Sequence, residues 1–162
     1  MASDVPLQAM RQGDIEAVKL HISNGKITTA TRDPLGGTCV HMAARNGNLE
    51  LLKYLVEMAK FPVNLPAENG ALATHDAAAL GHLGCLEYLL AKGCPLNACD
   101  CNGVNLLHLT CRFGNNDLLT WLVEDHGMDI SIRDIKGATC LHYAAAEGNL
   151  QCIMYLIQKA PQ

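Results

Sequence analysis

The sequence is poor in aromatic residues, in clustered basic charge and in long apolar runs, and each shortage removes a class of protein. Phe, Trp and Tyr make up only 4% of the 162 residues although 49% are hydrophobic, so the core must be built from aliphatic side chains. The 12 Lys and Arg stand against 16 Asp and Glu, a formal net charge of -4. No basic run occurs, and phosphate-backbone binding lacks its electrostatic footing. No apolar stretch approaches the ~20 residues of a membrane span. The start, Met1-Ala2-Ser3-Asp4, has neither a basic n-region nor an apolar h-region, so secretion is not expected. Without a signal peptide, the 8 cysteines read as reduced thiols of a cytoplasmic protein rather than as a disulfide framework.

What the chain does contain is itself, repeated. Gly13, Gly47, Gly81, Gly114 and Gly148 are spaced 34, 34, 33 and 34 residues apart. His41, His75, His108 and His142 keep that register, as do Gly36, Gly70, Gly103 and Gly137. A fourth column holds Asp33, Asp100 and Asp134, with Ala67 as the exception. Such self-similarity at a fixed period marks a repeat architecture. In each copy a short apolar segment, such as Thr38-Cys39-Val40-His41-Met42-Ala43-Ala44, closes at the repeated Gly, a candidate left-handed C-cap. A second segment then shows one apolar stripe at helical period: Leu49, Leu52, Leu55 and Val56, or Leu83, Leu86, Leu89 and Leu90. Turn residues and the Asp-x-x-Gly stretch follow. Each unit therefore reads as helix, tight turn, helix, extended turn, and such a pair buries its apolar face only by stacking on neighbours.

The motif residues resemble the ankyrin repeat, whose Thr-Pro-Leu-His-x-Ala signature recurs about every 33 residues. Thr139-Cys140-Leu141-His142-Tyr143-Ala144-Ala145 matches it with a single substitution. Thr38-Cys39-Val40-His41 is similar, while Leu72-Ala73-Thr74-His75 and Asn105-Leu106-Leu107-His108 hold mainly the His. The resemblance implies an all-α ankyrin-repeat solenoid of about five helix-turn-helix units with extended β-turn fingers. It spans 1–162 as one domain, with units near 3–35, 36–69, 70–102, 103–136 and 137–162. A narrower resemblance, to the N-terminal ankyrin region of espins, is carried by Arg32-Asp33-Pro34-Leu35, His75-Asp76-Ala77, Gly81-His82-Leu83, Leu107-His108-Leu109 and Arg112-Phe113-Gly114. His142-Tyr143-Ala144-Ala145-Ala146 belongs with them. That likeness implies an actin-cytoskeleton scaffold whose partner is the tail of a class III myosin.

Chemistry beyond recognition finds little support. There is no Gly-x-Gly-x-x-Gly, no Walker loop and no His-Glu-x-x-His, and Ser3, Ser23 and Ser131 lie in no nucleophile elbow. Neither catalysis nor a cofactor is expected. The four motif histidines sit in successive units about 10 Å apart, too far to share one ion, so each should hydrogen-bond nearby backbone. Cys94, Cys99 and Cys101, near His108, form the single zinc- or redox-like cluster, but a Cys-x-Cys without a second pair is a weak metal pattern. A regulatory inhibitor of an enzyme would use the same surface as a scaffold and stays an alternative.

The leading expectation is a non-catalytic module that holds a partner peptide or helix in the concave groove. Its variable positions are the turn tips and the two residues before each repeated Gly: Leu35, Arg45, Asn46, Asn69, Leu80, Asn102, Val104, Arg112, Phe113, Ile135, Lys136 and Glu147. Phe113 is the expected anchor, because aromatics and Arg dominate interface energies. Arg45 and Arg112 would meet partner carboxylates, and Leu35, Leu80, Val104 and Ile135 would add apolar contact. At the N-terminus, Asp4 or Ser3 should cap the first helix, with Pro6 in its first turn and His21 making that unit more polar. The last unit keeps an internal apolar stripe (Leu150, Ile153, Tyr155, Leu156, Ile157), which implies a longer array or a weak end-to-end dimer.

Overall fold

In the computed structural model, which describes residues 4–161, ten α-helices form five helical hairpins. These are α1 (Val5–Gln12) with α2 (Ile15–Ser23), α3 (Cys39–Arg45) with α4 (Leu49–Lys53), and α5 (Ala73–Ala79) with α6 (Leu83–Ala91). The last two pair α7 (Leu106–Arg112) with α8 (Asn116–Glu124), and α9 (Cys140–Glu147) with α10 (Leu150–Lys159). Among the described residues there is no strand; one isolated antiparallel bridge joins Arg32 to Thr38. The expected all-α repeat solenoid is therefore the fold.

The repeated glycines close the first helix of each hairpin for a reason that is both torsional and spatial. At Gly81 φ is +72°, and a Cβ would lie 2.8 Å from Asn115 Oδ1 of the following hairpin. No L side chain tolerates both. α2 and α4 start on a polar cap: Asp14 Oδ1 accepts from Ala17 N and Asn48 Oδ1 from Leu51 N, each at 3.0 Å. One expectation for the helix ends needs correction. Asp4 occupies the N-cap of α1 without capping, because its carboxylate is taken by Arg11 Nη1 at 2.7 Å; Pro6 does sit in the first turn, and Ser3 lies outside the described residues. In the second hairpin α4 runs into a π-turn over Tyr54–Met58, and Lys60 adopts φ +60°. Gly93 and Gly127 carry the left-handed residue in later hairpins, but this copy has no glycine there.

Packing is unequal on the two sides of the stack. The first helices α3, α5, α7 and α9 lie directly on one another, whereas the second helices touch less. Ala43, Ala44, Ala77, Ala78 and Ala144 are buried between first helices, where small side chains permit close approach. Buried leucines such as Leu52, Leu86, Leu119 and Leu122 fill the second row and spread it, so the array curves toward the first helices. The aromatic column lies between second helices: Tyr88 Oη donates to Glu57 Oε1 at 2.9 Å, and Tyr155 Oη to Glu124 Oε1 at 3.2 Å. Lys92 and Lys159 lie over those two rings.

His41 and His75 are each a cap and a tether at once. Thr38 N donates to His41 Nδ1 at 3.1 Å, which leaves Nε2 to donate to Ala71 O of the next unit at 2.9 Å. His75 repeats this between Leu72 N (3.1 Å) and Val104 O (3.2 Å). His108 accepts from Asn105 N (3.1 Å) in the same way, but its Nε2 reaches Ile132 O (3.2 Å), at the end of its own unit just before the next finger. A second ladder runs beside it, in which the residue after each repeated Gly caps the carbonyl end of the preceding first helix. Asn115 Nδ2 donates to Ala78 O (3.2 Å) and Ala79 O (3.0 Å); Asn149 Nδ2 donates to Cys111 O (2.7 Å) and Arg112 O (2.8 Å).

Burial holds the His75 and His108 imidazoles below their ordinary pKa, against the pull of the carbonyls they bond. The unfolded chain takes up those protons below its ordinary value of 6.5 while the folded chain resists, so stability falls as pH drops through that window. The urea midpoint should therefore decrease from about pH 7.5 to about pH 5.5, with a shallower decrease in a His75→Gln/His108→Gln chain. A slope that the double substitution leaves unchanged would contradict this origin. Thr74 tests packing separately. Its Oγ1 is buried without a partner, in a column that is apolar in Val40 and Leu107. Thr74→Val should raise the unfolding free energy by about 1 kcal/mol, because no bond is lost and a desolvated hydroxyl is removed.

Candidate partner-binding groove

Four fingers project between the hairpins at 33–37, 67–71, 100–104 and 134–138, and each is built on a side chain that replaces missing backbone partners. Asp33 Oδ1 accepts from Leu35 N (2.9 Å) and Gly37 N (2.8 Å). Asp100 Oδ1 accepts from Asn102 N (2.8 Å) and Val104 N (2.9 Å), and Asp134 Oδ1 from Lys136 N and Ala138 N at 2.9 Å each. The second finger has Ala67 in that place, and Asn69 Oδ1 takes Ala71 N instead, at 3.1 Å. Fingers are also joined along the array: Cys101 N donates to Asn69 O at 2.8 Å, and Ile135 N to Asn102 O at 3.0 Å. The tips are thus rigid, and their outward side chains are held at fixed spacing.

Leu35, Leu80, Phe113 and Ile135 are exposed, with Phe113 at 52%, and they stand at finger tips or at the last turns of first helices. Arg112 lies beside Phe113, its guanidinium 5.7 Å from the ring centroid, with Nε 3.6 Å from Glu147 Oε1. Asn102, Lys136 and Glu147 are exposed. The C-terminal half of the inner surface therefore presents an aromatic ring, aliphatic side chains and charges of both signs, none of them buried by the fold.

Four expected recognition residues serve the fold instead. Val104 is only 8% exposed, because it closes the third finger and its carbonyl receives His75. Arg45 is not free for a partner carboxylate: Nη1 reaches Asp33 Oδ2 at 2.9 Å and Nη2 reaches Asp76 Oδ2 at 3.0 Å. Asn46 Nδ2 donates to Met10 O at 2.8 Å and Arg11 O at 3.2 Å, capping α1. The side chain of Asn69 completes its own finger. Asp76, missed by motif reading, is the third member of the Arg45 cluster; its signal is an acidic residue directly after a motif His.

The two carboxylates around Arg45 respond differently. Burial works against ionised Asp33, but Gly37 N–H, the Arg45 guanidinium and Leu35 N–H outweigh it and hold its carboxyl below the usual carboxylate range. Burial pushes Asp76 up, the Asp33 charge adds to it, and Arg45 with a smaller contribution from His41 opposes it, with no backbone donor to help. Pro34, Leu35, Arg45, Glu68, Asn69 and Asp76 line a recess between the first two fingers. Cys94, Cys99 and Cys101 are not assembled as a ligand set. Cys94 is buried with Sγ directed at Val63 O, 3.5 Å away, and Cys99 Sγ donates to Asn97 O at 3.7 Å. Among the described residues no group of three or more His, Cys, Asp or Glu side chains is placed to hold a metal ion.

A curved stack of helical hairpins joined by fingers, with its free side chains on the inner rim, defines a repeat-built recognition protein. The family model for ankyrin repeats (3 copies) matches residues 7–100 and again 75–162. The chain belongs to the ankyrin-repeat family, and its class is that of protein–protein interaction modules. Parts of it resemble larger proteins. A stretch of 57 residues is 37% identical to the ADP-ribosylation factor GTPase-activating protein AGD4 of Arabidopsis thaliana, covering 35% of this chain and 7% of that protein. Another of 60 residues is 35% identical to SMC5-SMC6 complex localization factor protein 1 of Bos taurus, covering 37% of this chain and 6% of that protein. The chain thus spans only 7% and 6% of these two relatives, and the comparisons support the family without supporting the espin resemblance.

Arg45→Ala should destabilise the chain by about 2 kcal/mol at neutral pH, since two largely buried carboxylates lose their shared counter-charge. Without Arg45, Asp76 takes up a proton more readily folded than unfolded, so stability rises as pH falls toward the ordinary carboxylate value of 3.8. Urea titrations at neutral and acidic pH check the sign: the deficit relative to the parent chain narrows on acidification.

Proposed function

We propose that the chain is a non-catalytic scaffold whose inner rim grips one helix or extended segment of a protein partner, with Phe113 as the anchor. The observation that carries this reading is the half-exposed Phe113 ring beside Arg112, at a helix end where the fold leaves it uncovered. Aromatic and Arg side chains supply most of the energy in measured interfaces. Ile135 and Leu80 add apolar contact on neighbouring units, while Lys136, Glu147 and Arg112 set the charge register. The finger frame holds these side chains without help from the partner, so little ordering entropy is lost on binding.

The espin-like motifs make the tail of a class III myosin the segment we put forward, and the actin cytoskeleton of a reducing cytoplasm its setting. The 8 free thiols, of which Cys39, Cys85, Cys94, Cys111, Cys140 and Cys152 are buried, suit such a compartment. Titration of the purified chain with a class III myosin tail tests this. Phe113→Ala should weaken binding by at least about tenfold, with unfolding free energy changed by less than about 0.5 kcal/mol. Leu20→Ala, on the opposite side in α2, should bind as the parent does. Equal binding by the Phe113 variant would sink the groove assignment, and absence of binding by the parent chain would sink the myosin assignment.

A further inference from the structure

The aromatic column on the second helices pairs each ring with lysine, and one unit breaks the pattern. Lys19 Nζ lies 5.4 Å from the centroid of the Tyr54 ring, and Lys53 and Lys92 lie 6.0 and 5.4 Å from that of Tyr88. Lys159 lies 5.7 Å from that of Tyr155. These lysines come from two positions of the repeat. Lys19 and Lys53 stand on the second helix of the preceding unit, whereas Lys92 and Lys159 follow the ring they cover by one helical turn. Trp121 fills the same column in α8, and among the described residues no Lys or Arg lies over it. Glu87 occupies the position of Lys19 and Lys53, and Asp125 that of Lys92 and Lys159. Both lysine positions around the indole thus carry the opposite charge.

The surroundings of Trp121 are open as well as acidic. Glu87, Leu90, Ala91, Trp121 and His126 line a hollow between α6 and α8, on the outer, second-helix side of the stack. Ala91 stands where Glu57 and Glu124 accept from the hydroxyls of Tyr88 and Tyr155, so no carboxylate closes the seam there. His126 packs edge-on to the indole, with ring centroids 4.1 Å apart, and holds it in place. Glu87 and Asp125 are exposed, and neither forms an ion pair among the described residues. An indole is a better seat for a cation than a phenol ring. Leu90 and Ala91 offer the apolar surface along which a lysine stem lies while its ammonium reaches a charge.

We propose that this hollow docks a lysine of a basic segment on a protein partner, with the ammonium over Trp121, the stem on Leu90 and Ala91, and Glu87 and Asp125 as counter-charges. The tyrosines of the column show what the occupant is. Each already holds a lysine side chain, and at Trp121 it must come from outside because both internal positions are acidic. The site lies on the opposite side of the stack from Phe113 and does not depend on what the inner rim grips. An acidic segment is repelled by the two carboxylates, and an uncharged one leaves them without a partner. A second copy of this chain is disfavoured by its own net charge of -4.

Trp121 is the single tryptophan of the chain, so its fluorescence reports on this hollow alone. Titration with a hexalysine peptide should change that emission saturably at about 0.1 M salt, where charges more than about 10 Å apart are screened. Hexaglutamate should leave it unchanged. In a Glu87→Lys/Asp125→Lys chain, which restores the lysines of the other units at two exposed positions, the dissociation constant for hexalysine should rise at least about tenfold. A Glu50→Lys/Glu68→Lys chain has the same net charge with its changes far from the hollow, and should stay within about twofold of the parent. Urea midpoints check that both variants fold. Should the added lysines lower the midpoint, Glu87→Gln/Asp125→Asn removes the counter-charges alone and should weaken binding in the same direction. Equal weakening in the two lysine variants, binding that leaves the Trp121 emission unchanged, or absence of binding by the parent chain overturns the proposal. So does light scattering that shows a dimer which Glu87→Lys/Asp125→Lys dissociates, since a second copy would then cover the hollow.

Discussion

Everything in this structure depends on an imidazole shared between two repeats. A two-helix unit of about 33 residues is too small to bury its own apolar face, so neighbouring units must meet in one register. The motif histidine fixes that register. One ring nitrogen accepts at the start of its own first helix, and that bond decides the tautomer, so the other nitrogen must donate. Its acceptor lies on the next unit: Ala71 O for His41 and Val104 O for His75. Burial then favours the neutral ring, the protonation state the arrangement requires. At His41 and His75 one ring therefore makes both the local cap and the contact to the next unit.

The asparagine ladder complements it at the opposite end of the same helices. First helices are only seven or eight residues long from α3 onward, so their orphan carbonyls are a large share of their backbone groups. Asn115 and Asn149 satisfy them from the following unit. α5 is thus held at its start by His75 and at its end by Asn115, and α7 by His108 and Asn149. This explains why Gly81 and Gly114 must lack a Cβ: the amide occupies that space.

Periodicity made the architecture legible in the sequence, because the glycine, histidine and aspartate columns each reflect a backbone demand made in every unit. The fingers, the helix order and the buried alanines follow from those columns directly. Positions inside a repeat that answer to one neighbour were not legible. Arg45 and Arg112 share a column, yet Arg45 meets Asp76 while the corresponding residue opposite Arg112 is Tyr143, whose Oη bonds Asp134 Oδ2 instead. Val104 is apolar at a finger, but its burial is set by the histidine that reaches over from the previous unit. The π-turn over Tyr54–Met58 and the left-handed Lys60 leave no mark in the periodic columns.

These exchanges leave a division of labour along the chain. Near α3 the inner surface is neutralised internally, with Arg45 held by Asp33 and Asp76. Near α7 it is not: Arg112 is half exposed and only loosely paired with Glu147, and Phe113 is uncovered beside it. The same helical position is therefore structural in one unit and free in another, according to what the adjacent unit offers. Substitution at the free positions changes what the rim can grip without touching the histidine and asparagine ladders that hold the rim in shape. Recognition and stability are separable in this chain because the polar groups that fix the register lie inside the junctions, while the side chains that vary stand at the tips.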